Sequence, residues 1–101
     1  MDISAFSPAN LERLGEDERR RLLKNLGDSL TRRVSAAPDF EREVSAVVGE
    51  FKAVGHDLYL YDSDGDFQRW CGDWTKPEGS SKLLLEFHPA DGVEVSWSET
   101  G

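Results

Sequence analysis

Apolar residues recur in this chain with two different periods, and the change from one to the other divides it. Over residues 8–54 they return every three or four positions, the spacing of one helix face. Over residues 58–97 they alternate with polar residues, the spacing of a half-buried strand.

The helical half reads as two or three segments. Ser7-Pro8 is a helix start, because serine can accept a hydrogen bond from a first-turn amide and proline at the first helical position lacks only a donor that would go unused. Leu11 and Leu14 then share a side, and Gly15 punctuates. A second helix is expected over 16–34, with Glu16, Asp17 and Glu18 in its first turn and Arg32 and Arg33 in its last, as the helix dipole favours. Leu22, Leu23, Leu26, Leu30 and Val34 form its apolar stripe. Ala37-Pro38-Asp39 opens a third helix whose Phe40, Val44, Val47, Val48, Phe51 and Val54 give the strongest periodic signal in the chain; such a stripe is core. Gly55, able to take a left-handed conformation, ends it.

The alternating half reads as two hairpins. Ser63-Asp64-Gly65 suits a three-residue loop that pairs Tyr61 with Phe67, Leu60 with Gln68, Tyr59 with Arg69 and Leu58 with Trp70. Ala90-Asp91-Gly92 as a second loop pairs Phe87 with Val95, Leu85 with Trp97, His88 with Glu94 and Glu86 with Ser96. The expected inner face is Leu58, Leu60, Trp70, Leu83, Leu85, Phe87, Val93, Val95 and Trp97. The expected outer face is Tyr59, Tyr61, Phe67, Arg69, Lys82, Leu84, Glu86, His88, Glu94 and Ser96. Trp74 falls just past the second strand, before Lys76-Pro77-Glu78-Gly79-Ser80-Ser81, whose composition predicts a mobile loop. The pattern therefore predicts an α+β fold: two to three N-terminal helices packed on one face of a four-stranded antiparallel sheet, residues 1–55 forming the helical layer and 56–101 the sheet.

Length and charge narrow what such a fold can do. A chain of 101 residues is one domain with a single two-layer core, too small to enclose a deep pocket within a second lobe. Cys71 is alone, so no internal disulfide and no multi-cysteine zinc cage can form, which fits a reducing compartment. The start, MDISAFSPAN, has neither the basic nor the apolar region of a signal peptide, and no apolar run approaches the roughly 20 residues that span a bilayer. A cytoplasmic protein without a membrane partner is expected. The net charge is −8, and residues 56–101 hold ten acidic against three basic side chains, whereas residues 1–55 hold ten against nine. The acidity thus belongs to the sheet, where it repels nucleic acid and steers a basic partner.

Motifs for chemistry are weak. Asp62-Ser63-Asp64-Gly65-Asp66 begins like a calcium loop, but Phe67 stands where the bend needs glycine and Asp73 where the last ligand should be glutamate. A hairpin turn with solvated acids accounts for it. Nothing around Cys71, His56 or His88 marks a nucleophile with its base, and carboxylates are too numerous for a chance pair to imply acid–base catalysis. Arg19, Arg20, Arg21, Lys24, Arg32 and Arg33 interleave with Glu16, Asp17, Glu18 and Asp28, which favours a salt-bridged helix face over a nucleic-acid site. Neither an enzyme, a cofactor nor a metal site is therefore expected. What remains is a surface of Tyr59, Tyr61, Phe67 and Trp74 among Asp62, Asp64, Asp66, Asp73, Glu86 and Glu94, the aromatic anchors and charged rim that protein interfaces use.

The segments LYLYDSDGDFQRWCGDW and LLLEFHPADGVEVSW, following an amphipathic helical half, resemble the small acidic immunity proteins encoded beside bacterial polymorphic and contact-delivered toxins. The aromatic hairpins, the Gly-Asp-Trp corner and the closing VxVxW strand are similar to the TriTu type, associated with ADP-ribosyltransferase effectors; the likeness covers the C-terminal half. It implies a protein that binds a cognate toxin stoichiometrically and occludes it, with the acids directed to a basic cleft and Tyr59, Tyr61 and Trp74 as anchors. An acidic mimic of nucleic acid that blocks a DNA- or RNA-binding machine is the alternative; there carboxylate spacing would matter more than the rings.

Overall fold

The computed structural model describes residues 3–100; Met1, Asp2 and Gly101, counted in the single-domain expectation, lie outside the described residues. After a 3₁₀ turn at Ile3–Phe6 come helices α1 (Pro8–Arg13), α2 (Glu16–Ala36) and α3 (Phe40–Ala53). Strands β1 (Leu58–Asp64), β2 (Phe67–Lys76), β3 (Gly79–His88) and β4 (Gly92–Thr100) follow. The fold is α+β, with three helices preceding a four-stranded antiparallel sheet of order β1-β2-β3-β4. Among the described residues no helix is long and apolar enough to cross a membrane.

The helices start where local chemistry favours it. Ser7 Oγ accepts from the Asn10 amide at 3.3 Å, and the Asp39 side chain accepts from the Arg42 amide at 3.2 Å. Pro38 precedes that cap instead of occupying the first turn. The three acids of the first turn of α2 are in place, and Gly55 has φ +111° beyond α3. Expected ion pairs form along α2 between Arg20 and Glu16 and between Lys24 and Asp28, and Arg33 clamps α2 to α3 through Glu43 at 2.6 Å and Glu50 at 2.5 Å.

The core lies between the helices and one face of the sheet. Leu23, Leu26, Leu30 and Val34 of α2 and Val44, Val47, Val48 and Phe51 of α3 meet Leu58, Leu83, Leu85, Phe87 and Val93, with Trp70, Val95 and Trp97 half-buried around them. Burying aliphatic and aromatic side chains of this size contributes about 1.5–3 kcal/mol each before entropy is counted. Ile3, Phe6, His56 and Ser81 are buried without having been anticipated; His56, 4 % exposed, donates from Nε2 to the Phe6 carbonyl at 2.5 Å and lies between the rings of Phe51 and Trp97.

Both hairpins differ in register from the alternation-based expectation. In the first, Asp64 pairs with Phe67, so the loop is Gly65-Asp66 with φ +63° at Gly65, the position where a type II′ turn takes its glycine. A bulge at Tyr61 then brings Leu60 opposite Trp70 and Leu58 opposite Gly72. In the second, His88 pairs with Gly92, and Phe87 faces Val93, Leu85 faces Val95 and Leu83 faces Trp97. Each core pairing is displaced by two residues, and since side chains alternate with period two, such a slip leaves the faces unchanged. The segment expected to be a mobile loop is a third hairpin: Lys76 pairs with Gly79 across Pro77-Glu78, with proline and glycine where a type I turn favours them.

Two side chains depart from their expected faces. Leu60 belongs by register to the helix side, yet it is 47 % exposed, because α2 lies along β4 and α3 touches β1 only lightly, leaving the far edge uncovered. Trp74, expected on the outer surface, is inside β2 and shares the helix side with Trp70; its ring meets Trp97 at 6.5 Å between centroids. Around it Lys76 forms an ion pair with Glu12 of α1, and Ser81 donates to the same carboxylate.

Candidate functional site

Since the helices occupy one face, the other face of the sheet carries no second layer among the described residues. Its side chains stand in cross-strand rows whose composition follows from the register. The row nearest the β1–β2 and β3–β4 turns holds Phe67 of β2 and His88 of β3, with ring centroids 4.6 Å apart. Asp64 pairs with Phe67 at its β1 end, and Asp66 is exposed at the hairpin tip.

The next row is charged from edge to edge: Asp62 pairs with Arg69, Arg69 with Glu86, and Glu86 with Glu94. Arg69 donates through Nε at 3.0 Å and through Nη2 at 2.8 Å, both to Glu86 Oε2, and its Nη1 lies 3.8 Å from Asp62. The bonds to Glu86 hold the Arg69 guanidinium above its ordinary value, more than its partial desolvation lowers it. Phe67 lies against this cation, 5.4 Å from ring centroid to Cζ. The Glu94 carboxylate has no ion-pair partner among the described residues, so the β4 end of the row is an uncompensated acid.

The third row is the least polar: Tyr59, Cys71, Leu84 and Ser96. Cys71 is 3 % exposed, and burial pushes its thiol up, the opposite of what a thiolate nucleophile needs. His56 is beneath the helices on the other side of the sheet, so the sequence's two buried candidates for a nucleophile and base are not brought together. Loss of hydration and then the Asp73 carboxylate raise the Tyr59 phenol. A last row pairs Asp73 with Lys82, 3.8 Å apart.

The bulge puts Tyr61 between the second and third rows, within electrostatic reach of Tyr59 and Arg69. Tyr59, Leu60 and Tyr61 are therefore consecutive on an edge strand at 45 %, 47 % and 60 % exposure, and they are the large hydrophobic residues the described chain leaves most open. Of the residues singled out in the sequence, Tyr59, Tyr61, Asp62, Asp64, Asp66, Phe67, Asp73, Glu86 and Glu94 share this face or its rim; Trp74 does not. Leu60 and Arg69 were not among them. The bulge and the bare edge that expose Leu60 leave no mark in a pattern of alternating residues, whereas Arg69 was legible as the one cation in a run of acids.

A second concavity of about 790 Å³ runs between α2 and β4. Leu23, Gly27, Val93, Val95 and Trp97 line it, with Arg19, Arg20 and Lys24 beside Glu16, Asp28, Glu94 and Glu99. Its charges are mixed, and Arg19 is engaged by Glu99 at 3.2 Å. His88 is not part of its lining, so His88 and Glu94 do not meet in a pocket there.

No protein-family model, no curated protein and no solved structure matches the chain.

Proposed function

We propose that this chain is a binding protein of the immunity or antitoxin type, which neutralises a bacterial toxin or effector domain by seating its uncovered sheet face and the adjoining β1 edge on a basic surface of that partner. The observation that carries this reading is the exposed Tyr59-Leu60-Tyr61 edge beside a cross-strand row of net negative charge. Rings and an aliphatic side chain supply contact area at small entropic cost, while Asp62, Asp64, Asp66 and Glu94 favour a cationic partner and raise its rate of encounter. The role is one of occlusion, with no chemistry on the chain itself, and the cytoplasm is where it acts.

The interspersed Arg69 and Lys82, and the central apolar row of Tyr59, Cys71 and Leu84, support a protein partner over imitation of a phosphate backbone, which needs acids at regular spacing without cations between them.

The experiment is co-expression with the polypeptide encoded by the adjacent gene. Growth rescue and 1:1 co-purification are expected, with rescue lost in the Tyr59→Ala/Tyr61→Ala double variant and the rate of association falling with added salt. A neighbour that is harmless when expressed alone, or rescue by the double variant at wild-type level, would overturn the assignment.

A further inference from the structure

We propose that Glu86, His88 and Glu94 form a binding site for a divalent transition cation of the zinc type on the outer face of the sheet. The three side chains come together through the register: Glu86 and His88 are two apart on β3 and point the same way, and Glu94 of β4 pairs directly with Glu86. One ligand atom from each lies within 4.8 Å of the others. Metal–ligand bonds of about 2.1 Å put neighbouring donors roughly 3–3.5 Å apart, so modest rotamer changes close the site.

Three further features favour a cation over a bare acidic surface. Two glutamates directly opposed across strands repel one another, and Arg69 relieves this from one side only, being held by Glu86 Oε2 and lying toward Asp62 on β1. Glu86 Oε1 is left without a hydrogen bond among the described residues and can ligate while Arg69 fixes its partner oxygen. The His88 ring is placed by Phe67 through a ring contact of 4.6 Å, and its nitrogens make no hydrogen bond to the described residues. An imidazole with two carboxylates is a borderline donor set, suited to Zn²⁺ and its neighbours and poorly suited to Mg²⁺, which prefers oxygen and water. The remaining coordination positions open to solvent, where water or a donor from a partner can complete the shell.

The test is titration of the full chain with Zn²⁺ by calorimetry in a non-coordinating buffer. One equivalent is expected to bind, at least tenfold more tightly than Mg²⁺, with affinity reduced at least tenfold by His88→Ala and by Glu94→Gln and unchanged within twofold by Glu41→Gln, an exposed acid on α3. A measurement on the unaltered protein accompanies it: Zn²⁺ should shift the His88 ring nitrogens in long-range ¹H–¹⁵N spectra and leave those of His56 in place. Binding that survives either site variant, or that leaves the His88 ring signals unmoved, would mean diffuse attraction to surface acids, and absence of binding below millimolar Zn²⁺ would equally overturn the site. None of these outcomes depends on the toxin reading, because no partner is present.

Discussion

Thr31→Val tests how α2 is fastened to the sheet. The Thr31 hydroxyl accepts from the Val93 amide at 2.8 Å and donates to the Gly27 carbonyl at 2.8 Å, so one side chain links the helix to the start of β4. The approach is close enough that a Cβ at Gly27 would stand 3.2 Å from the Val93 oxygen, and one at Gly92, whose φ is +99°, only 2.6 Å from the Thr31 methyl. Valine keeps the shape and removes the hydroxyl, leaving the Val93 amide, in a residue 6 % exposed, without its acceptor. An unsatisfied buried donor costs about 1–3 kcal/mol. For a domain of this length each kcal/mol moves Tm by about 4–8 °C, so a decrease of roughly 8–16 °C is expected at the middle of that range. Thermal and urea unfolding followed by circular dichroism would measure it, with Thr31→Ser as the control that retains the hydroxyl. The expected order is wild type, then Ser, then Val. A Thr31→Val protein within about 0.5 kcal/mol of wild type, or a Ser variant as damaged as the Val variant, would show that methyl packing over Gly92, and not the hydroxyl bridge, holds the two layers together.

His56 is driven below its ordinary value by burial, which outweighs the hydrogen bond to Phe6, so the unfolded chain takes up a proton before the folded one does. Its contribution is complete above pH ~6.5, the ordinary histidine value, and declines as pH falls toward the lower folded value; His56→Gln should flatten the stability–pH slope over that window, and an unchanged slope would refute the assignment. Tyr59→Ala and Tyr61→Ala should each alter stability by less than about 1 kcal/mol, since both rings are exposed, while weakening partner binding at least tenfold; Trp74→Ala should do the reverse, because that ring is half-buried on the helix side of the sheet against Trp97. Cys71 should react with a disulfide reagent in the native protein far more slowly than in urea, and rapid native modification would contradict its burial. Arg33→Met should cost about 1–2 kcal/mol by parting Glu43 and Glu50 from their common cation, the pairs being partly solvated, and the loss should shrink at high salt.

The helices, the two hairpins that turn near Asp-Gly and the two faces of the sheet followed from the sequence alone, for a reason visible in particular residues. Leu23, Leu26, Leu30 and Val34 can share a side only on a helix, and Leu83, Leu85 and Phe87 only on a strand, so period decides conformation before any tertiary contact exists. The caps at Ser7 and Asp39 are equally local, each a side chain reaching an amide three residues on. Placing Tyr59, Glu86 and Glu94 on one face required no more than parity, which is why that part of the candidate surface survived an error of two residues in both registers.

What the tertiary structure decided depends on distances between elements, which alternation does not encode. A first loop one residue shorter, a bulge at Tyr61, a shifted second loop at Pro89-Ala90-Asp91 and a tight turn at Pro77-Glu78 all preserve the hydrophobic pattern. Yet the first two set Asp62 beside Arg69, the third set Glu86 beside Glu94 and brought both within ligand distance of His88, and the last extended β2 through Trp74, which meets Trp97 on the helix side. Coverage was decided in the same way. Leu60 has the parity of a core residue and is exposed because the helices extend over β4 and reach β1 only lightly, where Leu58 is buried; His56 is a polar side chain and is buried because Phe6, Phe51 and Trp97 converge around it. Periodicity assigns a residue to a side of the sheet, and only the packing of one layer on another determines whether that side is dry.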